Sequence, residues 1–203
     1  MDKQYWEDYY KRHNTPFEPS DFARFVHNYL NPRGDSIVDI GCGNGRDSIY
    51  FAENGINTTA IDQSETAVEM LEGLNMDNLR AQVDDFTDPH IPYNTNHVYS
   101  RFTLHSIDEE SEDKVIKWVA ERLGDGYFFI EVRSDKDALV DKKTDHFRRF
   151  VNHETLLTKL FEAGFEIKYT EISRGFSRYK KEFDVSYNED DPMLIRVVAK
   201  GGK

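Results

Sequence analysis

From Ser36 onward the chain alternates short apolar runs with amphipathic stretches, a rhythm that predicts strands alternating with helices. Ser36–Ile40 reads as a first buried strand, followed by a helix over Gly45–Asn54 that ends at Gly55. Thr58–Ile61 and Glu65–Leu74 repeat the pair, and Leu79–Val83 and His97–Leu104 are the third and fourth strands. A helix over Asp113–Leu123, closed by Gly124, leads to a fifth strand at Tyr127–Val132. Residues 153–163 form the last predicted helix, ending at Gly164; Phe165–Thr170 and Leu194–Ala199 are the final strands. A long loop rather than a helix joins those two, so they are expected to pair antiparallel. Upstream, residues 2–13 put Tyr5 and Tyr9 on one helical face and Trp6 and Tyr10 on the next. After a break at Thr15-Pro16, Ser20 is placed to N-cap a helix through Phe22, Phe25, Val26 and Leu30, stopped at Asn31-Pro32. The pattern predicts an α/β fold with a mostly parallel sheet. No repeat or linker interrupts it, so one domain is expected over 1–203: a helical cap at 1–31 and a core at 32–203.

Composition narrows the function. The hydrophobic fraction is 38% and the charged fraction 32%, which raises disorder as an alternative. Leu, Ile, Val and Phe nevertheless make up 50 of 203 residues, and the aromatics add core, so the chain folds. A net charge of −12 repels a phosphate backbone and argues against nucleic acid as a partner. Cys42 is the single cysteine, which excludes an intrachain disulfide and multi-cysteine metal sites; no metal is expected. Met1-Asp2-Lys3-Gln4 opens no signal peptide and no long apolar run follows, so a cytoplasmic protein without membrane contact is expected.

The chemistry concentrates at Val38-Asp39-Ile40-Gly41-Cys42-Gly43-Asn44-Gly45-Arg46-Asp47, where the first strand turns into the first helix. That is where α/β sheets bind nucleotides. A dinucleotide fingerprint would need glycine where Arg46 stands, and the lysine of a phosphate-binding P-loop is missing. Asp62 closes the second strand, placed to accept hydrogen bonds from ribose hydroxyls or to cap a helix, though Ser64 is the better cap. Asp84 and Asp85, before Phe86, lie just past the third strand.

An acid followed by Gly-x-Gly-x-Gly after a strand, with further acids ending strands two and three, resembles the class I S-adenosylmethionine-dependent methyltransferases of small-molecule type. The resemblance implies a Rossmann-like, seven-stranded sheet of order 3-2-1-4-5-7-6 with helices on both faces and an N-terminal helical extension. It implies S-adenosylmethionine as cofactor, S-adenosylhomocysteine as product and a small-molecule acceptor. The implied cofactor-binding set is Tyr5, Trp6, Tyr9, Asp39, Gly41, Cys42, Gly43, Gly45, Arg46, Asp62, Gln63, Asp85, Phe86 and Arg101. Within it Asp39 orients the glycine loop and the methionine ammonium, and Asp85, or its neighbour Asp84, receives the adenine amine beside Phe86. Other enzymes that use this cofactor, by aminopropyl transfer or cofactor cleavage, share the pocket, as does a non-catalytic binder. A nucleic-acid or protein methyltransferase would show a basic face or a groove-forming insertion.

Methyl transfer from a sulfonium mainly needs alignment and exclusion of water. His105, after the fourth strand, is a candidate general base, or else a polar loop histidine; Glu131 is the second catalytic candidate. Residues 127–181 carry 12 Lys/Arg against 9 Asp/Glu, whereas the rest of the chain is strongly acidic. Arg133, Arg148, Arg149 and Arg174 are therefore expected to grip a phosphate or carboxylate of the acceptor, with salt bridges to nearby acids as the alternative. Arg178, Lys180 and Lys181 extend that basic stretch, and the long connection from Ala138 to Asn152 is read as functional. Tyr5, Trp6, Tyr9 and Phe17 form either a lid over the cofactor or an ordinary accessory helix. A narrower likeness rests on Tyr5-Trp6, Pro16-Phe17-Glu18-Pro19-Ser20, Gly41–Asp47, Glu131–Ser134, His146–Phe150 and Asp191-Pro192. These resemble a subgroup found beside polysaccharide-modification enzymes and imply a phosphorylated acceptor.

Overall fold

The computed structural model describes residues 3–13, 15–16, 18–32, 34–88, 95–137, 146–176 and 191–202. Phe17, Arg178, Lys180, Lys181 and residues 138–145 of the long connection lie outside them. Two helices, α1 (Lys3–Arg12) and α2 (Asp21–His27), precede β1 (Ser36–Ile40), α3 (Arg46–Glu53), β2 (Asn57–Asp62), α4 (Glu65–Glu72) and β3 (Leu79–Val83). Then come β4 (His97–Arg101), α5 (Glu109–Arg122), β5 (Tyr127–Arg133), α6 (His153–Glu162), β6 (Glu166–Ser173) and β7 (Leu194–Lys200). The sheet has the order β3-β2-β1-β4-β5-β7-β6. β5–β7 and β6–β7 are antiparallel, and the other pairs are parallel.

Helices cover both faces. Phe22 and Val26 of α2 and Phe51 of α3 pack with Ile37, Tyr99 and Phe129 on one side. Val115, Ile116 and Val119 of α5 and Leu156 and Leu160 of α6 pack on the other. Val68 and Leu71 of α4 close over Ala60 and Ala81. Truncating Leu156 or Leu160, both fully buried, would cost about 2–5 kcal/mol. The central β1 is buried almost throughout, while the edge strand β6 alternates exposed and half-buried positions.

Side-chain caps set the helix starts. Ser20 Oγ accepts from Ala23 N at 3.0 Å and Ser64 Oγ from Ala67 N at 3.2 Å. Asp108 caps α5 by accepting from Ser111 N, which starts that helix four residues before the predicted Asp113. β4 is shorter than its apolar run suggests, because Phe102 adopts φ 62° and turns the chain into a 3-10 turn at Leu104–Ser106. Among the described residues no helix is long and apolar enough to cross a membrane.

Candidate active site

The carboxyl ends of β1, β2 and β4 open into a cavity of about 220 Å³. Its floor is the Gly41–Gly45 loop, whose three glycines all take positive φ (69°, 56° and 75°). At Gly43 a Cβ would collide with the Tyr10 hydroxyl, so the bare backbone is what lets α1 close on the loop. Asp62 locks the same loop: its carboxylate accepts Gly43 N and Ser64 N, each at 2.9 Å. Asp39 is buried at the end of β1 and accepts from Ser48 Oγ at 2.5 Å. Burial, with Asp47 and Asp62 nearby, pushes its carboxyl up to about 8 despite the Ser48 bond and Arg101. Burial raises the Cys42 thiol well above its ordinary range, with Asp62 and Asp39 adding to the effect.

Eleven predicted cofactor residues line this cavity: Trp6, Tyr9, Asp39, Gly41, Cys42, Gly43, Arg46, Asp62, Gln63, Phe86 and Arg101. Tyr5 does not; it stacks on His146 with ring centroids 4.6 Å apart. Gly45, the last residue of the loop, is the N-cap of α3, where an added Cβ would meet Leu71. Asp85 is exposed, and its carboxylate accepts from Thr87 N and Thr87 Oγ1 at 2.9 and 2.7 Å. Asp84 is the buried member of the pair, so Asp85 yields to Asp84 as the candidate beside Phe86. Tyr10, Asn44, Asp47, Tyr99, Phe102, Thr103 and Ser106 also line the cavity and were not anticipated. Tyr10 carried a usable signal, since it shares the helical face of Trp6. Asp47 did not: its role rests on Ser20 N, Ser20 Oγ and Tyr99 Oη, which donate to it at 2.7–2.8 Å from distant parts of the chain.

α1 has no fully buried residue, yet it lies over the loop. Glu7 fastens it by accepting from Ser64 Oγ at 2.7 Å and from Thr66 Oγ1, at the start of α4. Those two bonds pull the Glu7 carboxyl down to about 2.

The two catalytic candidates fall outside the lining. His105 is buried, and its Nδ1 accepts the Arg133 backbone N–H at 3.3 Å, which puts the ring proton on Nε2. Burial first, and then Arg148, Arg133, His146 and Arg149, hold it neutral well below its ordinary pKa. In this arrangement Nδ1 is taken up by the backbone, and His105 stands outside the cavity lining. Glu131 is fully buried between two guanidiniums, with Arg101 Nε at 2.9 Å and Arg196 Nε at 2.6 Å. Both of its oxygens are engaged in ion pairs.

Of the four arginines, Arg149 is a strut: it donates to Ile107 O at 2.8 Å and Leu104 O at 3.2 Å and pairs with buried Glu112. Arg133 is buried and paired with Asp137 at 3.1 Å. Arg174 is exposed and donates to Asp191 O at 2.6 Å. Arg133 and Arg149 thus make the ion pairs named as the alternative, whereas Arg174 is held by a backbone carbonyl. Arg148 is half-buried and donates to His146 Nε2 at 3.1 Å, next to the aromatic face of α1.

A family model described as "Methyltransferase domain" matches residues 10–168. A curated relative, the cypemycin N-terminal methyltransferase of a Streptomyces species, is 29% identical over 96 residues. That match spans 46% of this chain and 39% of the relative. Among solved structures, a SAM-dependent methyltransferase from Methanosarcina mazei superposes with a TM-score of 0.71 at 18% identity, covering 93% of this chain and 99% of the other. The 1,6-didemethyltoxoflavin-N1-methyltransferase of Burkholderia thailandensis, solved with bound 1,6-didemethyltoxoflavin and S-adenosylhomocysteine, gives a TM-score of 0.65 at 17% identity over 90% and 77% of the two chains.

Proposed function

The chain belongs to the methyltransferase-domain family, and from that premise we propose that it transfers a methyl group from S-adenosylmethionine to a small acceptor bearing an anionic group. One observation carries the reading: a positive-φ glycine loop, two strand-end carboxylates and the apolar Phe86 line a single cavity. The residues fit the cofactor. Asp62 takes the ribose hydroxyls, Phe86 packs on adenine with Asp84 toward its amine, and Asp39 takes the methionyl ammonium. Buried Gln63 Nε2 has no hydrogen-bond partner among the described residues, which leaves a donor for a bound molecule. When bound, the cofactor supplies a methyl whose bond to sulfur breaks as the bond to the acceptor forms, the electron pair staying on sulfur. The protein aligns and dries that line, residues 1–31 serving as the cap on the core at 32–203.

The acceptor is small because α1 already covers the loop, and anionic because Arg148 stands beside that cap. A phosphorylated acceptor accords with the polysaccharide-associated resemblance. With His105 and Glu131 both engaged elsewhere, the acceptor's nucleophile supplies its electron pair without either. Incubation with S-adenosylmethionine and a fractionated metabolite extract tests the reading. S-adenosylhomocysteine is expected, concentrated in the anionic fractions and diminished by Arg148→Ala. Methylthioadenosine as product, or no turnover at all, overturns it.

A further inference from the structure

Three side chains in and just after the glycine loop bind the linker between α1 and α2. Asn44, set between Gly43 and Gly45, donates through Nδ2 to Thr15 O at 3.2 Å. Arg46 donates to Glu18 O, and Asp47 accepts from Ser20 N and Ser20 Oγ, each at 2.8 Å. Positions 15, 18 and 20 meet 44, 46 and 47 in the same order, so the linker follows the loop onto the start of α3. The three loop residues also line the cavity, whereas Thr15, Glu18 and Ser20 do not. Asn44, Arg46 and Asp47 therefore join a cavity side of the loop to a linker side.

The Asp47 junction is buried throughout, as are Ser20 and Tyr99. Tyr99 Oη donates to the same carboxylate at 2.7 Å, and Ser20 Oγ in turn accepts from Ala23 N at 3.0 Å as the cap of α2. One hydroxyl thus starts α2 and pins it to the first turn of α3, where an acid also meets the positive end of the helix dipole. The other fastening of α1 lies across the cleft: Glu7 binds Ser64 and Thr66 where α4 begins, and Tyr10 lies over Gly43. Together α1 and its linker bridge the starts of α3 and α4. Those are the two edges of the cleft assigned above to the cofactor.

Resting on that cofactor reading, we infer that Ser20 and Asp47 are positioning residues that couple the cap to the glycine loop. A bound cofactor fixes the loop and with it the linker and α1, and a seated α1 slows release of the cofactor. Ser20 stands outside the cavity lining, so its influence on the ligand travels through Asp47. Linkage makes the coupling reciprocal: the factor by which a seated cap strengthens binding is the factor by which the ligand strengthens the seat.

Deuterium exchange across residues 3–12 of the full chain, with and without saturating S-adenosylhomocysteine, measures the coupling directly. In the wild type the ligand should slow exchange in α1 by about three- to tenfold, the worth of one net hydrogen bond. Ser20→Ala should lose most of that added protection and weaken S-adenosylhomocysteine binding by the same factor, seen in stopped flow as faster dissociation at an unchanged association rate. Ser20→Thr keeps the hydroxyl and should restore both. Asn152→Ala is the control, since it removes the cap of α6, where Oδ1 accepts from Thr155 N at 3.0 Å. It should lower thermal stability and leave affinity and α1 exchange at wild-type values. If Ser20→Ala behaves as Asn152→Ala does, the coupling is overturned and Ser20 is a helix cap only. A wild-type α1 whose exchange ignores the bound ligand overturns it too, and that result needs no variant to fold. A wild type that fails to bind S-adenosylhomocysteine overturns the cofactor reading instead.

Discussion

Asp39 shows how far one buried carboxyl can govern the site. In the unfolded chain it titrates near 3.8, and in the fold at about 8, chiefly through burial. Between those values the folded protein keeps a proton the unfolded chain has lost, so this group's contribution to stability falls as pH rises through the interval. A ligand ammonium favours the ionised form and runs the other way. Affinity for S-adenosylhomocysteine should therefore climb from pH 6 toward 8, by up to about tenfold per pH unit, and level off above. Asp39→Asn should bind more weakly and with a flat profile. Titrations across that range check both, and a flat wild-type profile would show that Asp39 is ionised without the ligand. The strand-end residues Asp39 and Asp62 were legible in the sequence, because strand ends and turn glycines are local signals. The ion pairing of Glu131 was not legible, because its partner Arg196 lies 65 positions away and no local pattern announces such a pairing. Asp85 and Asp84 could not be separated beforehand, since which of two adjacent acids turns inward depends on Thr87 capturing one of them.

At the level of elements, α1 is the piece whose hold on the molecule differs from the rest. Core helices are retained by apolar burial, whereas α1 is retained by Glu7, by Tyr10 over Gly43 and by Tyr5 and Trp6 on His146. Glu7 binds as a carboxylate, with its pKa lowered from 4.5 to about 2. Its stabilising contribution is full above 4.5 and disappears as pH falls through about 2. Glu7→Gln should raise deuterium exchange across residues 3–12 and leave β1 and β4 protected, with S-adenosylhomocysteine binding weakened a few-fold. Equal exchange in α1 of both proteins would mean that the aromatic contacts suffice. The helix itself was legible from its spacing, and the choice between accessory helix and lid was not. That choice depends on Ser64 and Thr66, which the fold brings to Glu7 from 57 and 59 positions away. The alternation of elements gave the α/β class and the methyltransferase resemblance implied the strand order, but β4 ended early because Phe102 takes a backbone conformation that its residue type does not advertise.

For the molecule as a whole, the charge distribution along the chain is a poor guide to the charge distribution in space. The stretch 127–181 looked like a basic surface facing an anion, and its arginines are largely spent within the fold. Arg149 crosses to Glu112, 37 positions earlier, where Lys159 also binds at 2.9 Å. The triangle ties the segment after the long connection to α5 and α6. Breaking it leaves a buried carboxylate with one cation in place of two. Arg149→Ala should therefore cost about 2–4 kcal/mol of unfolding free energy in denaturant titration and leave S-adenosylhomocysteine affinity unchanged within about twofold. Arg148→Ala should do the reverse, sparing stability and lowering turnover on the anionic metabolite fractions. Loss of stability in both variants would make the whole segment a strut. Loss of turnover in both, with stability intact, would return Arg149 to the acceptor. The opposed responses are what separates a cation used by the fold from one kept for chemistry, and two adjacent arginines allow that comparison at one place in the molecule.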